Sequence, residues 1–143
     1  MILGIDHISL QVIDREKSID FYSKLGFATI KSVTIPEIDT TLDILMLGGA
    51  GCRIEVRSSA SQVDALHHAG AAHFSNQSES SSSSSSSFAH FALKVEDLSE
   101  EMARLRGSGI EFISTPKEGK LGTFVFLKDP DGNVIEFIQT TDE

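Results

Sequence analysis

Apolar and polar residues alternate through Ile8-Ser9-Leu10-Gln11-Val12, and the pattern returns in Phe91-Ala92-Leu93-Lys94-Val95. Because side chains alternate across a strand, Ile8, Leu10 and Val12 share one face while His7, Ser9 and Gln11 share the other. The second copy buries Phe91, Leu93 and Val95 and turns His90, Ala92 and Lys94 outward in the same way. Two strands are therefore predicted, over residues 5–12 and 88–95, each turning one histidine away from the apolar face.

After the first strand the period changes. Asp14 offers an N-cap, Ile19, Tyr22 and Leu25 recur at helical spacing, and Gly26 supplies a closing residue, so a short amphipathic helix is predicted. Strands over 27–34 and 41–47 follow, separated by a loop at 35–39 that contains Pro36. Gly48-Gly49-Ala50-Gly51 then turns the chain into a strand over 52–58, with Arg53, Glu55 and Arg57 on one face and Ile54 and Val56 on the other. The order is βαβββ.

Residues 88–143 repeat it. The histidine strand leads to a helix from Asp97 to Arg106, with Leu98, Met102 and Leu105 inward and Gly107 closing it. A strand over 110–114, a loop over 116–120, and strands over 122–127 and 133–139 complete the copy, the last two joined by the turn Asp129-Pro130-Asp131-Gly132. His7 and His90 lie 83 positions apart, and Glu55 and Glu136 lie 81 apart. A repeat of this regularity predicts an α+β fold of two paired βαβββ modules, residues 1–58 and 88–143, together one domain. Residues 59–87 between them form a linker, since the eight serines of 80–87 offer nothing to bury. His67, His68 and His73 in that linker read as surface residues.

Composition narrows the function. With 143 residues, 40% hydrophobic, the chain can bury a core, and its net charge of −9 without a basic stripe argues against nucleic acid as a partner. No apolar run approaches the roughly 18 residues of a membrane span, and the first residues lack the pattern of a secretory signal, so a cytoplasmic protein is expected. The single Cys52 excludes an intramolecular disulfide and reads as strand filler.

Each module places a histidine on its first strand and a glutamate in the middle of its last: His7 with Glu55, and His90 with Glu136. Glu136 is flanked on its own face by Val134 and Ile138, where a carboxylate is costly unless paired or bound to a cation. Two imidazoles and two carboxylates at repeat-related positions suit one divalent metal, Ni²⁺, Co²⁺, Zn²⁺, Mn²⁺ or Fe²⁺, with positions left for water or substrate.

The segments Asp6-His7-Ile8, Ser18-Ile19-Asp20-Phe21-Tyr22, Leu25-Gly26-Phe27, Ala89-His90-Phe91-Ala92-Leu93 and Asp129-Pro130-Asp131-Gly132-Asn133-Val134-Ile135-Glu136 resemble the vicinal oxygen chelate superfamily. That superfamily includes glyoxalase I, methylmalonyl-CoA epimerase, extradiol dioxygenases and the fosfomycin and bleomycin resistance proteins. The resemblance implies sheets curled into a metal cleft, with His7 and Glu55 from one chain and His90 and Glu136 from its partner in a homodimer. Glutamate at both fourth-strand positions is most similar to glyoxalase I. Gln11 and Ser59 stand where glyoxalase I commonly has an arginine and an asparagine that hold glutathione, leaving Lys31, Arg53 and Arg57 as candidate anion binders beside Gln11. Asp43 falls near the position of a catalytic carboxylate in the epimerase.

The expected chemistry is metal-assisted proton transfer beside a carbonyl, on a small substrate with adjacent oxygens, with Glu136 and Glu55 as bases. Two alternatives are an iron-dependent dioxygenase using His7, His90 and Glu136, and a metal-free resistance-type binding protein.

Overall fold

The computed structural model describes residues 1–59 and 89–141, so the linker, its serine run and His67, His68 and His73 lie outside the described residues. The first module runs β1 (Ile8–Gln11), α1 (Arg15–Lys24), β2 (Phe27–Ile35), a 3₁₀ turn at Pro36–Ile38, β3 (Thr40–Leu47) and β4 (Arg53–Ser59). The second runs β5 (Phe91–Lys94), α2 (Leu98–Gly107), β6 (Lys117–Gly119), β7 (Gly122–Lys128) and β8 (Val134–Thr140). Each module is a four-stranded mixed sheet, ordered β1-β4-β3-β2 and β5-β8-β7-β6. In both, the histidine strand pairs in parallel with the glutamate strand and the other pairs are antiparallel. The α+β fold of two βαβββ units is therefore as the repeat predicts.

Both helices start where their caps dictate. Asp14 accepts from the backbone N–H of Lys17 at 3.0 Å and Asp97 from that of Glu100 at 2.8 Å, satisfying donors that a helix start leaves open. Gly26, at φ 97°, closes α1 as expected. In α2 the closing residue is Gly109, at φ 82°, and Gly107 is still helical. The N–H of Ile110 reaches the carbonyl of Leu105 and that of Gly109 the carbonyl of Arg106, both at 3.0 Å, and buried Ile110 folds back onto the core. This Schellman closure needs the left-handed residue just before the apolar one, which selects the second glycine of Gly107-Ser108-Gly109.

The expected strand over 110–114 is reduced to a single bridge, Phe112 with Leu127, and regular pairing resumes at β6, inside the segment expected to be a loop. The reason is local. The hydroxyl of Ser114 accepts from the N–H of Phe126 at 3.0 Å in place of a backbone carbonyl, and Pro116 has no N–H to give the ladder.

The helices cover one face of each sheet. Tyr22, Ile54 and Val56 in the first module and Leu105, Val125, Leu127 and Ile135 in the second are completely buried and belong to one continuous core. Each such aliphatic side chain contributes about 1.5–3 kcal/mol. Cys52 is a free thiol packed against this core.

The modules are latched by the turn between β7 and β8. Asp129 accepts from the Tyr22 hydroxyl at 2.8 Å, and Asp131 accepts from the Ile13 N–H at 2.9 Å and the Ser18 hydroxyl at 3.2 Å. Burial, then the Asp129 carboxylate, push the Tyr22 hydroxyl far above its ordinary pKa, so it remains a donor. Among the described residues no helix is long and apolar enough to cross a membrane.

Candidate functional site

The parallel pairing of β1 with β4 sets Ser9 opposite Glu55, and that of β5 with β8 sets Ala92 opposite Glu136. Each histidine precedes its strand's paired residue by two positions, so it shares the glutamate's face, the one turned away from the helices. His90 Nε2 stands 2.7 Å from Glu136 Oε2, and His7 Nε2 stands 3.9 Å from Glu55 Oε2. The structure thus brings the four predicted ligands together as two equivalent pairs. Among the described residues no group of three or more His, Cys, Asp or Glu side chains converges. Each pair supplies two of the four ligands that the sequence predicts.

The surroundings of the two pairs differ. His7 Nδ1 donates to Asp6 Oδ2 at 2.8 Å, since an ionised carboxylate only accepts, and this leaves Nε2 as the nitrogen on the Glu55 side. The His7 hydrogen bond, reinforced by the charge of Arg53 at 3.3 Å, holds Asp6 below the usual carboxylate range. Glu55 accepts from the Ser9 hydroxyl at 2.8 Å and from Arg57 Nη1 at 3.4 Å. A carboxylate oriented by a hydroxyl, beside an imidazole oriented by a second carboxylate, is the donor chemistry that a divalent cation requires.

Around the second pair the groups are aromatic. Phe126 is the register partner of Glu136 on β7, and its ring meets that of His90 edge to face with centroids 5.4 Å apart. Phe124 packs on Phe126 at 5.6 Å. Phe124, Glu136 and Ile138 line a cavity of about 290 Å³ closed on one side by the turn from Gly119 to Gly122. Glu136 therefore stands at the edge of an apolar pocket. Neither the Phe124–Phe126 wall nor the roles of Asp6 and Ser9 were predicted; the alternation of Phe124 and Phe126 with buried Val125 was the signal for the former.

The candidate anion binders separate. Arg57 is the register partner of Gln11 and lies on the face of Glu55; its Nε is buried and has no hydrogen-bond partner among the described residues. Arg53 reaches Asp6. Lys31, opposite Ile44 on the outermost strand, is exposed on the same face but two strands from Glu55. Asp43 is on the other face. It is completely buried under α1, where Arg15 grips it through Nε and Nη2 at 2.6 Å each and Ser32 donates at 2.7 Å. Burial raises its pKa, but the hydrogen bonds from Arg15 and Ser32 and the Arg15 charge outweigh that and leave it lowered. Asp43 is thus a structural clamp rather than a group facing the site.

Two sheets of the same βαβββ order, each presenting a histidine and a glutamate on its helix-free face, define a class of paired-module α+β proteins. The comparison with known families is specific: residues 4–137 match the Glyoxalase/Bleomycin resistance protein/Dioxygenase superfamily, and the chain belongs to it. It is 30% identical over 138 residues to a Synechocystis protein named probable lactoylglutathione lyase, covering 94% of each chain. It is 31% identical over 136 residues to the lactoylglutathione lyase of Neisseria meningitidis, covering 93% of this chain and 88% of that one. Among solved structures, a glyoxalase family protein from Enterococcus faecalis superposes with a TM-score of 0.71 at 24% identity, over 96% of this chain and 98% of that one.

Proposed function

We propose that this protein is a divalent-metal-dependent lyase or isomerase of the glyoxalase type, a homodimer in which His7 and Glu55 of one chain and His90 and Glu136 of the other hold one Ni, Co, Zn, Mn or Fe ion. The observation that carries the reading is the equivalence of the two His–Glu pairs, each two ligands short of a complete site. Relatives named lactoylglutathione lyase support it. The exposed apolar side chains of Ile2, Leu3 and Ile5 ahead of His7, and of Leu121 beside the Glu136 pocket, offer surface that a second copy would cover.

The cation, when bound, would polarise a substrate carbonyl and stabilise the negative charge developing on its oxygen. The protein's own groups do the rest. Glu136, aimed by His90 and walled by Phe124 and Ile138, takes the proton from the carbon beside the carbonyl and returns it to the neighbouring carbon. The hydroxyl proton of the thiol-bearing carbon passes to the former carbonyl oxygen, so no electrons leave the substrate and a hemithioacetal becomes a hydroxyacyl thioester. Glu55, held by Ser9 and Arg57, serves the opposite face of the substrate. With Glu55 in the ligand set, one position that the dioxygenase alternative needs for oxygen is filled.

The test is elemental analysis and solution mass of the purified protein, followed by hemithioacetal turnover by wild type and Glu136→Gln. About one metal per site in a dimer is expected, with kcat in the variant reduced about 10²- to 10⁴-fold while metal is retained. Full activity in the variant would refute the role of Glu136. Absence of any reconstitutable metal, with ligand binding that survives chelation, would favour the binding-protein alternative.

A further inference from the structure

We infer that Ser9 is a positioning residue that makes the two faces of the site unequal, its hydroxyl holding Glu55 in place while Glu136 is left to move the proton. This deepens the reading above and takes from it the pairing of the half-sites. The two glutamates occupy equivalent places in the repeat, so their neighbours compare one for one. Ser9 stands opposite Glu55 and donates to its Oε1 at 2.8 Å. Arg57, two residues further along β4, contacts the same oxygen through Nη1 at 3.4 Å. The corresponding places beside Glu136 hold Ala92 and Ile138, neither of which carries a side-chain donor. On the other flank the register partner is Ile44 for Glu55 and Phe126 for Glu136.

The difference falls on one oxygen. A carboxylate that takes a proton from carbon must free an oxygen to accept it. Glu55 has Oε2 on the side of His7 Nε2, at 3.9 Å, and its Oε1 is occupied by the two donors. Bonds to an ionised acceptor are the stronger ones in proteins, and Oε1 gives them up before it accepts a proton from carbon. Glu136 meets His90 Nε2 through Oε2 at 2.7 Å, and Phe124 and Ile138 in the pocket beside it offer no side-chain donor. On the Glu136 face the C–H bond therefore breaks readily: its electron pair moves into the carbon–carbon bond, the carbonyl oxygen takes the charge, and the proton rests on Glu136 until it returns to the substrate. On the Glu55 face the same transfer is slowed by the tether.

Two readouts test this. Ser9 and Ala92 are both exposed, so Ser9→Ala and Ala92→Ser leave the core intact. In the first, the metal-loaded protein is given the glutathione thioether of hydroxyacetone, stereospecifically deuterated at one or the other position of its hydroxymethyl carbon, and loss of deuterium to water is followed by NMR. Wild type should wash out one isomer about 10-fold or more faster than the other. Ser9→Ala should close the gap by speeding the slow isomer about 10-fold, Ser9→Thr should restore the gap, and Ser9→Ala/Ala92→Ser should reverse it. A gap unchanged in Ser9→Ala, or an equal fall in both rates, would overturn the inference. In the second, the ¹³C carboxylate resonances of Glu55 and Glu136, assigned by their loss in Glu55→Gln and Glu136→Gln, are followed in the zinc-loaded protein as acetohydroxamate, whose two adjacent oxygens compete for metal positions, is added. In wild type the Glu136 resonance should shift while that of Glu55 stays, and the order should invert in Ser9→Ala/Ala92→Ser. An equal response of the two, or none from either, overturns the inference. That titration decides the role of Ser9 even if neither isomer exchanges, which would count against the proton-transfer reading alone. A protein that takes up no metal overturns both.

Discussion

Truncating Arg15 should destabilise the protein more than truncating its partner Asp43, because the two ends of this ion pair are buried to different depths. Asp43 has no exposed side-chain surface, whereas Arg15 keeps 40% of its side chain accessible. Arg15→Ala leaves a buried carboxylate with the Ser32 hydroxyl as its remaining side-chain donor, a situation that costs about 3–5 kcal/mol. Asp43→Ala leaves a guanidinium that water can reach, and screening reduces the cost to about 1–2 kcal/mol. At about 3 °C per kcal/mol for a chain of this size, Tm should fall by about 9–15 °C in the first variant and about 3–6 °C in the second.

The pH dependence should differ in sign between wild type and Arg15→Ala. In wild type Asp43 titrates below its unfolded value, so its contribution is complete above a pH of about 4 and is lost as pH falls through the lowered folded pKa. Without Arg15, burial dominates and lifts the folded pKa above the unfolded one. The penalty of Arg15→Ala should then be largest near neutrality and shrink as acid protonates Asp43. Urea unfolding at neutral pH and at two or three acidic points measures both effects. An Asp43→Ala cost equal to or above that of Arg15→Ala, or an Arg15→Ala penalty that grows on acidification, would refute the reasoning.

Two further outcomes follow from single contacts. Asp6→Asn should weaken divalent-metal binding about 10- to 100-fold, measured by competition with a chelator, because the amide no longer fixes the ring of His7 as firmly; unchanged affinity would remove Asp6 from the site. Gly122→Ala would set a Cβ 2.1 Å from the Gln139 carbonyl oxygen at a backbone φ of 142°, so the β7–β8 ladder must shift at a cost of about 3 kcal/mol; an unchanged thermal midpoint would contradict the observed register.

The repeat made the fold legible, because alternation and capping are local and each module carries both. Asp14, Gly26 and Asp97 name helix ends by themselves. What failed was equally local but ambiguous: two glycines near the end of α2, and a strand over 110–114 whose ladder bond is taken by the Ser114 side chain. The placement of one histidine on the first strand and one glutamate on the last strand of each module was also legible from the repeat, whereas the parallel register that sets them side by side comes from the fold. The facing of Asp43 was not legible. Its position between Leu42 and Ile44 gives no sign of whether the neighbouring layer is the site or α1, and only the Arg15 fork reaching across from the helix decides it.

The latch between the modules bears on where the other two ligands of the proposed metal site would come from. Asp129 and Asp131 grip Tyr22, Ser18 and the start of α1, so the two modules of one chain are fastened through the helix layer. The histidines and glutamates lie on the opposite faces of their sheets, which that fastening leaves uncovered. A chain that joined its own two pairs would bring at least three of those side chains together, and among the described residues none do. Completion by a second copy, as proposed, would meet the same requirement without disturbing the latch, and the exposed apolar side chains of Ile2, Leu3, Ile5 and Leu121 are surface it could cover. Metal stoichiometry and dimer mass should therefore rise and fall together: a surface substitution such as Leu121→Glu that splits the dimer should release the metal although it touches no ligand, and metal retained by a monomer would refute the shared site.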